Sequence, residues 1–306
     1  MSGKLNILIT GSTGYIGSEL VNVLLENTNN NIAVVVRDIK KAESLFEDKV
    51  TYITTDNETL KNNINKFSPD IVVHLASYSS SLDTLSDINK LIESNIVFTS
   101  VLLDALSDCN LKLFINTGSF SEYYYNNETT SPTYFYSATK TSASCIIEYF
   151  SKKNNFKTIN AILYTVYGRK SSNKKIIDYA IDSLNSVDSI NMSDGKQILD
   201  FIHIDDVLNF YTNLIYNFSE LNIKEKNYFV GTGRGTSIRD VVQILEEKTG
   251  KKANVEWGAN KSRHTDTKQA VSNIVKTSED LVWSAKIDIY TGLKKYIDGI
   301  LGITSE

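Results

Sequence analysis

The sequence predicts an α/β fold, a doubly wound parallel sheet followed by a smaller C-terminal lobe. Short apolar runs alternate with helix-patterned segments up to about residue 168, and the first of these runs leads straight into a glycine turn and an amphipathic helix. The loss of that alternation after Gly168 predicts the lobe. On this reading residues 1–168 with about 200–227 form the sheet domain, and residues 169–199 with 228–306 form the lobe.

The first element, LNILI, is an apolar strand that runs into Gly11, Gly14 and Gly17, and SELVNVLLEN then has the spacing of an amphipathic helix. Strand, glycine turn and helix start in this order suit a nucleotide pyrophosphate. Glycines admit close backbone approach, and the free N–H groups of a helix start carry partial positive charge. Ile32–Val36 supplies a second strand at the distance a βαβ unit needs. VTYIT, DIVVHLA, LKLFINT and TINAILY follow as strands, and Asn27–Asn31 reads as a loop. Beyond Gly168 come a polar loop, a helical stretch near Ile176–Leu184 and the turn SDGKQ. The strand-to-helix run DFIHIDDVLNFYTNLIY follows, then NYFVGTG, a helix from about Ser237 to Thr249 and the segment around Trp283. The sheet domain is therefore expected to hold a dinucleotide.

Composition narrows the partners. At 306 residues and a net charge of −4, with lysines scattered along the chain, no basic face for nucleic acid or anionic lipid emerges, which leaves a small molecule. Cys109 and Cys145 are too few for a disulfide framework, and His74, His203 and His264 lie far apart, so a reduced, cytoplasmic, metal-free protein is expected. No charged segment followed by a signal core opens the sequence, and no apolar run approaches the ~20 residues that span a bilayer.

YSATK sets Tyr136 four residues before Lys140, on one face of a helix. With 17 tyrosines the spacing recurs by chance, and Tyr149 with Lys153 and Tyr290 with Lys294 share it. Position decides: only Tyr136 follows a strand end, FINTGSFSEYY, that delivers a serine, Ser119, to the edge where such sheets bind ligands. An ammonium beside a phenol favours the phenolate, so Lys140 is expected to pull Tyr136 down from ~10 toward working pH. Tyr136 then exchanges a proton with an alcohol or carbonyl oxygen that Ser119 holds in place, and Lys140 also reaches the nicotinamide ribose.

GSTGYIG, DIVVHLA, the serine strand, YSATK, LYTVYG, SDGKQILDFIHIDDV and NYFVGTG occur in the order shown by extended short-chain dehydrogenases/reductases. The chain resembles the nucleotide-sugar epimerase/dehydratase family of that group over nearly its whole length. The resemblance implies a Rossmann domain with NAD(H) or NADP(H), a C-terminal nucleotide-sugar-binding lobe and a homodimer. It also implies that Thr13, Tyr15 and Ile16 join Gly11, Gly14 and Gly17 around the pyrophosphate, with Asp56 and Asn57 near the adenine. Leu75, Ala76 and Ser77 would flank the cofactor, Thr117 would sit beside the nicotinamide, and Tyr136 and Lys140 would touch it. SDGKQILDF with the NTGSF strand is most similar to the CDP-abequose type of CDP-sugar synthase, a 4-ketoreductase.

Departures from the family pattern shape the functional expectation. Arg37 stands where NAD-preferring members end the second strand with an acid, and a guanidinium suits a 2′-phosphate, so NADP(H) is expected over NAD(H), with Asp38 next to it able to serve a ribose. Phe120 and Ser121 replace the Asp-Glu pair of dehydratases, and Glu122, one position late, is expected to point elsewhere. Ile162, Thr165 and Leu199 replace an arginine, an asparagine and an arginine that contact the nucleotide, so those contacts must differ. Thr165, Arg169 and Arg263 are the candidate substrate contacts, the two arginines as diphosphate clamps. Asp205 and Asp206, beside His203, read as helix-capping acids. The expected activity is NADPH-dependent reduction of a nucleotide-linked 4-keto-6-deoxysugar for a surface polysaccharide. An NAD-retaining epimerase and a non-catalytic nucleotide-binding module are the alternatives.

Overall fold

The computed structural model describes residues 4–27, 30–123, 129–171, 174–261 and 266–301, without the side chains of Asn27, Asn57 and Glu58. The chain divides into two compact units, Met1–Ile162 with Tyr211–Tyr228, and Leu163–Phe210 with Phe229–Glu306.

In the first unit, strands and helices alternate as β1 (Asn6–Thr10), α1 (Tyr15–Asn27), β2 (Asn31–Val36), α2 (Ile39–Phe46), β3 (Thr51–Thr54), α3 (Asn57–Phe67) and β4 (Ile71–His74). After them come α4 (Leu85–Ile92), α5 (Phe98–Ala105), β5 (Leu113–Ser119), α6 (Phe135–Asn154) and β6 (Lys157–Leu163). The seven-stranded sheet runs Asn227–Val230, β6, β5, β4, β1, β2, β3. The pairs β1 with β2, β2 with β3, β1 with β4 and β4 with β5 are parallel. Parallel strands covered on both faces are near-continuous apolar runs, and ILIT and IAVVV are accordingly buried throughout. Leu8, Val35, Val72 and Phe114 pack with Leu60 and Ile64 of α3, Leu102 of α5 and Ile147 of α6. Ile7 and Ile9 alternate with Leu8 and so face the other side, where Leu20 and Leu24 of α1 and Phe46 of α2 are buried as well.

The asparagine-rich loop is shorter than the sequence suggests. Asn27 still closes α1 and Asn31 already opens β2, because Asn31 pairs with Asn6 in register and its Nδ2 donates to Asn6 Oδ1 at 2.8 Å; residues 28–29 lie outside the described residues. Between α4 and α5 the helix widens into a π-turn, Glu93–Val97.

The second unit contains β7 (Thr165–Tyr167), α7 (Ile176–Ser183), β8 (Ile190–Met192), β9 (Ile198–His203) and the first half of α8 (Ile204–Asn217), whose residues from Tyr211 belong to the first unit. The edge strand Asn227–Val230 is β10; β11 (Gly235–Ser237), α9 (Ile238–Thr249), β12 (Val255–Trp257), β13 (Gln269–Ala270), α10 (Val275–Leu281) and α11 (Ile289–Leu301) follow. β9 is the hub, antiparallel to β11 and parallel to β13 and β7, while β8 pairs with β12. Ile177 and Ile181 of α7, Val241 and Leu245 of α9, and Leu293 and Tyr296 of α11 close one core over Phe201. Trp283 is buried, with its Nε1 donating to Asn209 Oδ1 at 3.0 Å and its ring edge-on to Phe210. Among the described residues no helix is long and apolar enough to cross a membrane.

Candidate active site

The glycine turn is built by the ends of β1 and β4. Thr10 accepts the Leu75 N–H on its carbonyl at 3.2 Å and the Ala76 N–H on its Oγ1 at 3.2 Å, while Oγ1 also bonds His74 Nδ1 at 2.8 Å. Leu75, Ala76 and Ser77 are thereby laced against the turn. Gly11 has φ of +69°, and a Cβ on it would collide with the Ala76 backbone; a Cβ on Gly17 would strike the Gly11 carbonyl. Thr13, Tyr15 and Ile16 are half-buried around the same turn. Ser12, which sequence reasoning passed over, is fully buried, and its Oγ finds no hydrogen-bond partner among the described residues. A tight backbone cradle at a helix start with an unpartnered hydroxyl inside it fits the pyrophosphate of a dinucleotide.

Arg37 and Asp56 follow the C-terminal ends of β2 and β3, on the same edge of the sheet as the turn. Arg37 is exposed, and Asp38 caps α2 by accepting the Lys41 N–H at 3.1 Å. The Asp56 carbonyl accepts the Thr59 and Leu60 N–H groups and opens α3; the Asn57 side chain lies outside the described residues.

Ser119 ends β5, and Tyr136 and Lys140 lie in the first turns of α6. The start of α6 is fastened to the turn after Ser119, because Thr133 donates to the Ser121 carbonyl from both its N–H (3.1 Å) and its hydroxyl (3.2 Å). This brings the predicted trio together, with the Ser77 and Ser119 hydroxyls close enough to the Tyr136 phenol to favour its ionised form. Thr117, two residues earlier on β5, bonds the Tyr211 hydroxyl at 2.6 Å. Tyr149 and Tyr290 are exposed surface residues.

The structure corrects the expected electrostatics. Burial pushes Tyr136 up to about 12, the Glu122 charge pushes it the same way, and the Ser77 and Ser119 hydroxyls only partly offset them. Lys140 is itself buried and is pushed down to about 8, with Glu122 pulling it back up. Desolvation outweighs the attraction that the Tyr-Lys spacing suggests, so in the protein alone the phenol is a proton donor rather than an acidified base.

Glu122 is the second correction. It does not point elsewhere: Phe120–Glu122 forms a 3-10 turn whose three-residue period brings Glu122 back under Ser119, where its carboxylate accepts the Ser119 N–H at 2.8 Å. Asn95 on the π-turn was not legible either. Buried, it accepts from Tyr78 N–H (2.9 Å) and Ser77 Oγ (3.0 Å) and donates to the Tyr78 carbonyl (3.0 Å) and Thr139 Oγ1 (2.9 Å), which ties the cofactor loop to α6. Mid-helix π-turns gather at functional sites, but no local sequence signal announces one.

In the second unit Thr165 is half-buried on β7, and its buried Oγ1 has no hydrogen-bond partner among the described residues. Arg169 donates to the Gly168 carbonyl at 3.0 Å and to Asp205 at 3.1 Å, and Lys295 meets the other Asp205 oxygen at 2.7 Å. Arg263 lies outside the described residues. The capping expectation for the two acids changes. His203 caps the start of α8 by accepting the Asp205 N–H at 3.2 Å, whereas Asp206 accepts the N–H groups of Lys286 and Ile287. Burial lowers His203 to about 4, which keeps its ring neutral and able to accept.

A glycine cradle at the end of β1, with a serine, a tyrosine and a lysine converging from β5 and α6, defines a dinucleotide-dependent oxidoreductase site. The profile of the NAD dependent epimerase/dehydratase family matches residues 7–231, and the chain belongs to that family. It is an NAD(P)-dependent enzyme of the extended short-chain dehydrogenase/reductase type, with nucleotide-sugar epimerase/dehydratase-type activity. It is 28% identical to a CDP-abequose synthase of Salmonella typhimurium over 95% of this chain and 97% of that protein. With a CDP-abequose synthase of Yersinia pseudotuberculosis it shares 30% identity over 67% of this chain and 71% of the other. The fold matches the UDP-glucuronic acid 4-epimerase of Bacillus cereus in complex with UDP-glucuronic acid and NAD, with a TM-score of 0.86 and 24% identity over 97% and 99% of the two chains.

Proposed function

We propose that this enzyme reduces a nucleotide-linked 4-keto-6-deoxysugar with NADPH, in the formation of a surface-polysaccharide sugar. The observation that carries the reading is the half-buried Tyr136, protonated at neutral pH, with the Ser119 hydroxyl beside it and Lys140 one helical turn away. A bound reduced nicotinamide supplies hydride to the keto carbon. Tyr136 gives its proton to the keto oxygen, Ser119 holds that oxygen in line, and Lys140, pushed down to about 8, is poised to resupply the proton near neutral pH. The similarity to CDP-abequose synthases along most of the chain supports reduction. Dehydration is disfavoured, because Phe120 and Ser121 stand at the acid and base positions and Glu122 is engaged by Ser119 and Thr141.

Gly11, Ser12, Gly14 and Gly17 would cradle the pyrophosphate, Arg37 the 2′-phosphate, and Thr13, Tyr15, Ile16, Asp56, Asn57 and Leu75 to Ser77 the rest of the cofactor. The capping bond of Asp38 to α2 supports NADP(H), since it occupies the acid next to Arg37. Thr165 and Arg263 are proposed substrate contacts. Arg169 joins them only by loosening its bond to Asp205. Exposed Leu85, Ile92, Val97 and Tyr149 on and between α4 and α6 support a homodimer.

Incubation of the purified protein with NADPH or NADH and a panel of nucleotide-4-ketosugars tests the reading. Loss of absorbance at the nicotinamide band with NADPH and at least one ketosugar is expected. Tightly copurified NAD without NADPH consumption would replace it with the epimerase reading, which Asp38 could serve through the adenosine ribose.

A further inference from the structure

Glu122 is a carboxylate sealed beneath the reacting groups, and the proposed chemistry does not use it. It is 1% exposed. One oxygen accepts the Ser119 N–H at 2.8 Å and the other accepts the Thr141 hydroxyl at 3.1 Å. A Cβ on Gly118 would meet Ile162, Asn160 and Glu122 itself, so the strand runs directly over the acid. Beside it lies a cavity of about 180 Å³ lined by Asn116, Thr141, Ser144, Asn160, Glu148 and Lys226 among others. Asn116 Oδ1 is buried without a hydrogen-bond partner among the described residues, although its Nδ2 donates to Asn160 at 2.8 Å. The lining includes exposed Cys145 and the partly exposed Glu148–Lys226 ion pair at 2.6 Å, so the cavity reaches from the acid to the surface.

We infer that Glu122 is a positioning residue: it fixes Ser119 through the backbone and biases the protonation of the Tyr136–Lys140 pair through its charge. The inference rests on the proposed role of Tyr136 and Lys140 only for its consequence in catalysis. The groups facing Glu122 are Tyr136, Lys140 and Thr141 from α6, Ser119 and Tyr123 from its own turn, and the Glu148–Lys226 pair across the cavity. Burial raises Glu122 above the ordinary glutamate value, and the Ser119 N–H, Lys140 and Thr141 hold it down. Its negative charge in turn raises Tyr136, Lys140 and Tyr123. Removing the charge therefore lowers both catalytic groups, a change that a purely structural side chain would not produce.

The test needs no turnover. In full-length protein labelled at lysine Cε and tyrosine Cζ, NMR signals assigned with Lys140→Met and Tyr136→Phe follow each group against pH. In the wild type, Tyr136 is expected to show a minor inflection above the ordinary glutamate range as Glu122 ionises. In Glu122→Gln that inflection vanishes and the Lys140 midpoint drops by about half a unit or more. Should Glu122→Gln fold poorly, Thr141→Val keeps the acid but removes a bond to its charged form, and is expected to move the Tyr136 inflection upward. A wild-type Tyr136 without the inflection, or a folded Glu122→Gln with an unmoved Lys140, overturns the inference. Active Tyr136→Phe overturns the proposed function instead and leaves the measured coupling intact.

Discussion

Tyr136 stays protonated at neutral pH in this protein, since burial and Glu122 together raise it to about 12. That state suits proton donation, so Tyr136→Phe is expected to lower ketosugar reduction by roughly 10²–10⁴-fold, the range for a positioned acid. Cofactor affinity, read by quenching of intrinsic fluorescence, should persist. Lys140 makes a separate prediction through stability. Its folded-state value of about 8 lies below the ordinary 10.5, so between those values the unfolded chain binds more protons than the folded one. The burial penalty is therefore complete below pH 8 and fades as pH rises toward 10.5. Lys140→Met should raise the unfolding free energy at pH 7, read by urea titration, by roughly 2–3 kcal/mol, and leave it nearly unchanged near pH 10.5, while activity is lost. Tyr136 and Lys140 were legible because a strand-end serine upstream singles out one pair among three. Glu122 and the capping role of Asp205 and Asp206 were misread because they depend on a 3-10 turn and on the buried His203 ring, which neither strand alternation nor composition encodes.

At the scale of elements, the glycine turn and the Asp200 hub each hold several segments with few atoms. Gly17 in α1 packs against the Gly11 carbonyl with no room for a methyl group. Gly17→Ala should displace α1 from the turn, cost about 1–3 kcal/mol as overpacking does and weaken cofactor binding at least about tenfold, measurable by thermal unfolding with and without NADPH. Asp200 on β9 is fully buried and accepts the N–H groups of Thr232, Gly233 and Ser272 and the hydroxyls of Thr232 and Ser272. Asp200→Ala removes the shared acceptor and leaves the Thr232 and Ser272 N–H groups without it. A loss of about 3–5 kcal/mol is expected, with limited proteolysis opening the second unit around residues 231–233. The strands were readable because buried parallel strands are apolar runs. The π-turn that carries Asn95 was not, because a widened turn has the same side-chain pattern as its helix.

At the scale of the molecule, the exposed apolar residues Val97 and Tyr149 predict association. Light scattering is expected to give about twice the 34.3 kDa chain mass, and Val97→Glu with Tyr149→Lys about half of that. A monomeric wild type would remove the dimer from the proposal. The sequence by itself determined the order of strands and helices, the glycine cradle and the Ser119, Tyr136 and Lys140 set. These depend on periodicity, on the missing side chain of glycine and on residue type at a strand end, all properties of short segments. Only the tertiary structure decided the protonation of Tyr136 and Lys140, the return of Glu122 beneath Ser119 and the pairing of Arg169 with Asp205. Desolvation and charge proximity are set by residues distant along the chain, and they come together only when the sheet forms.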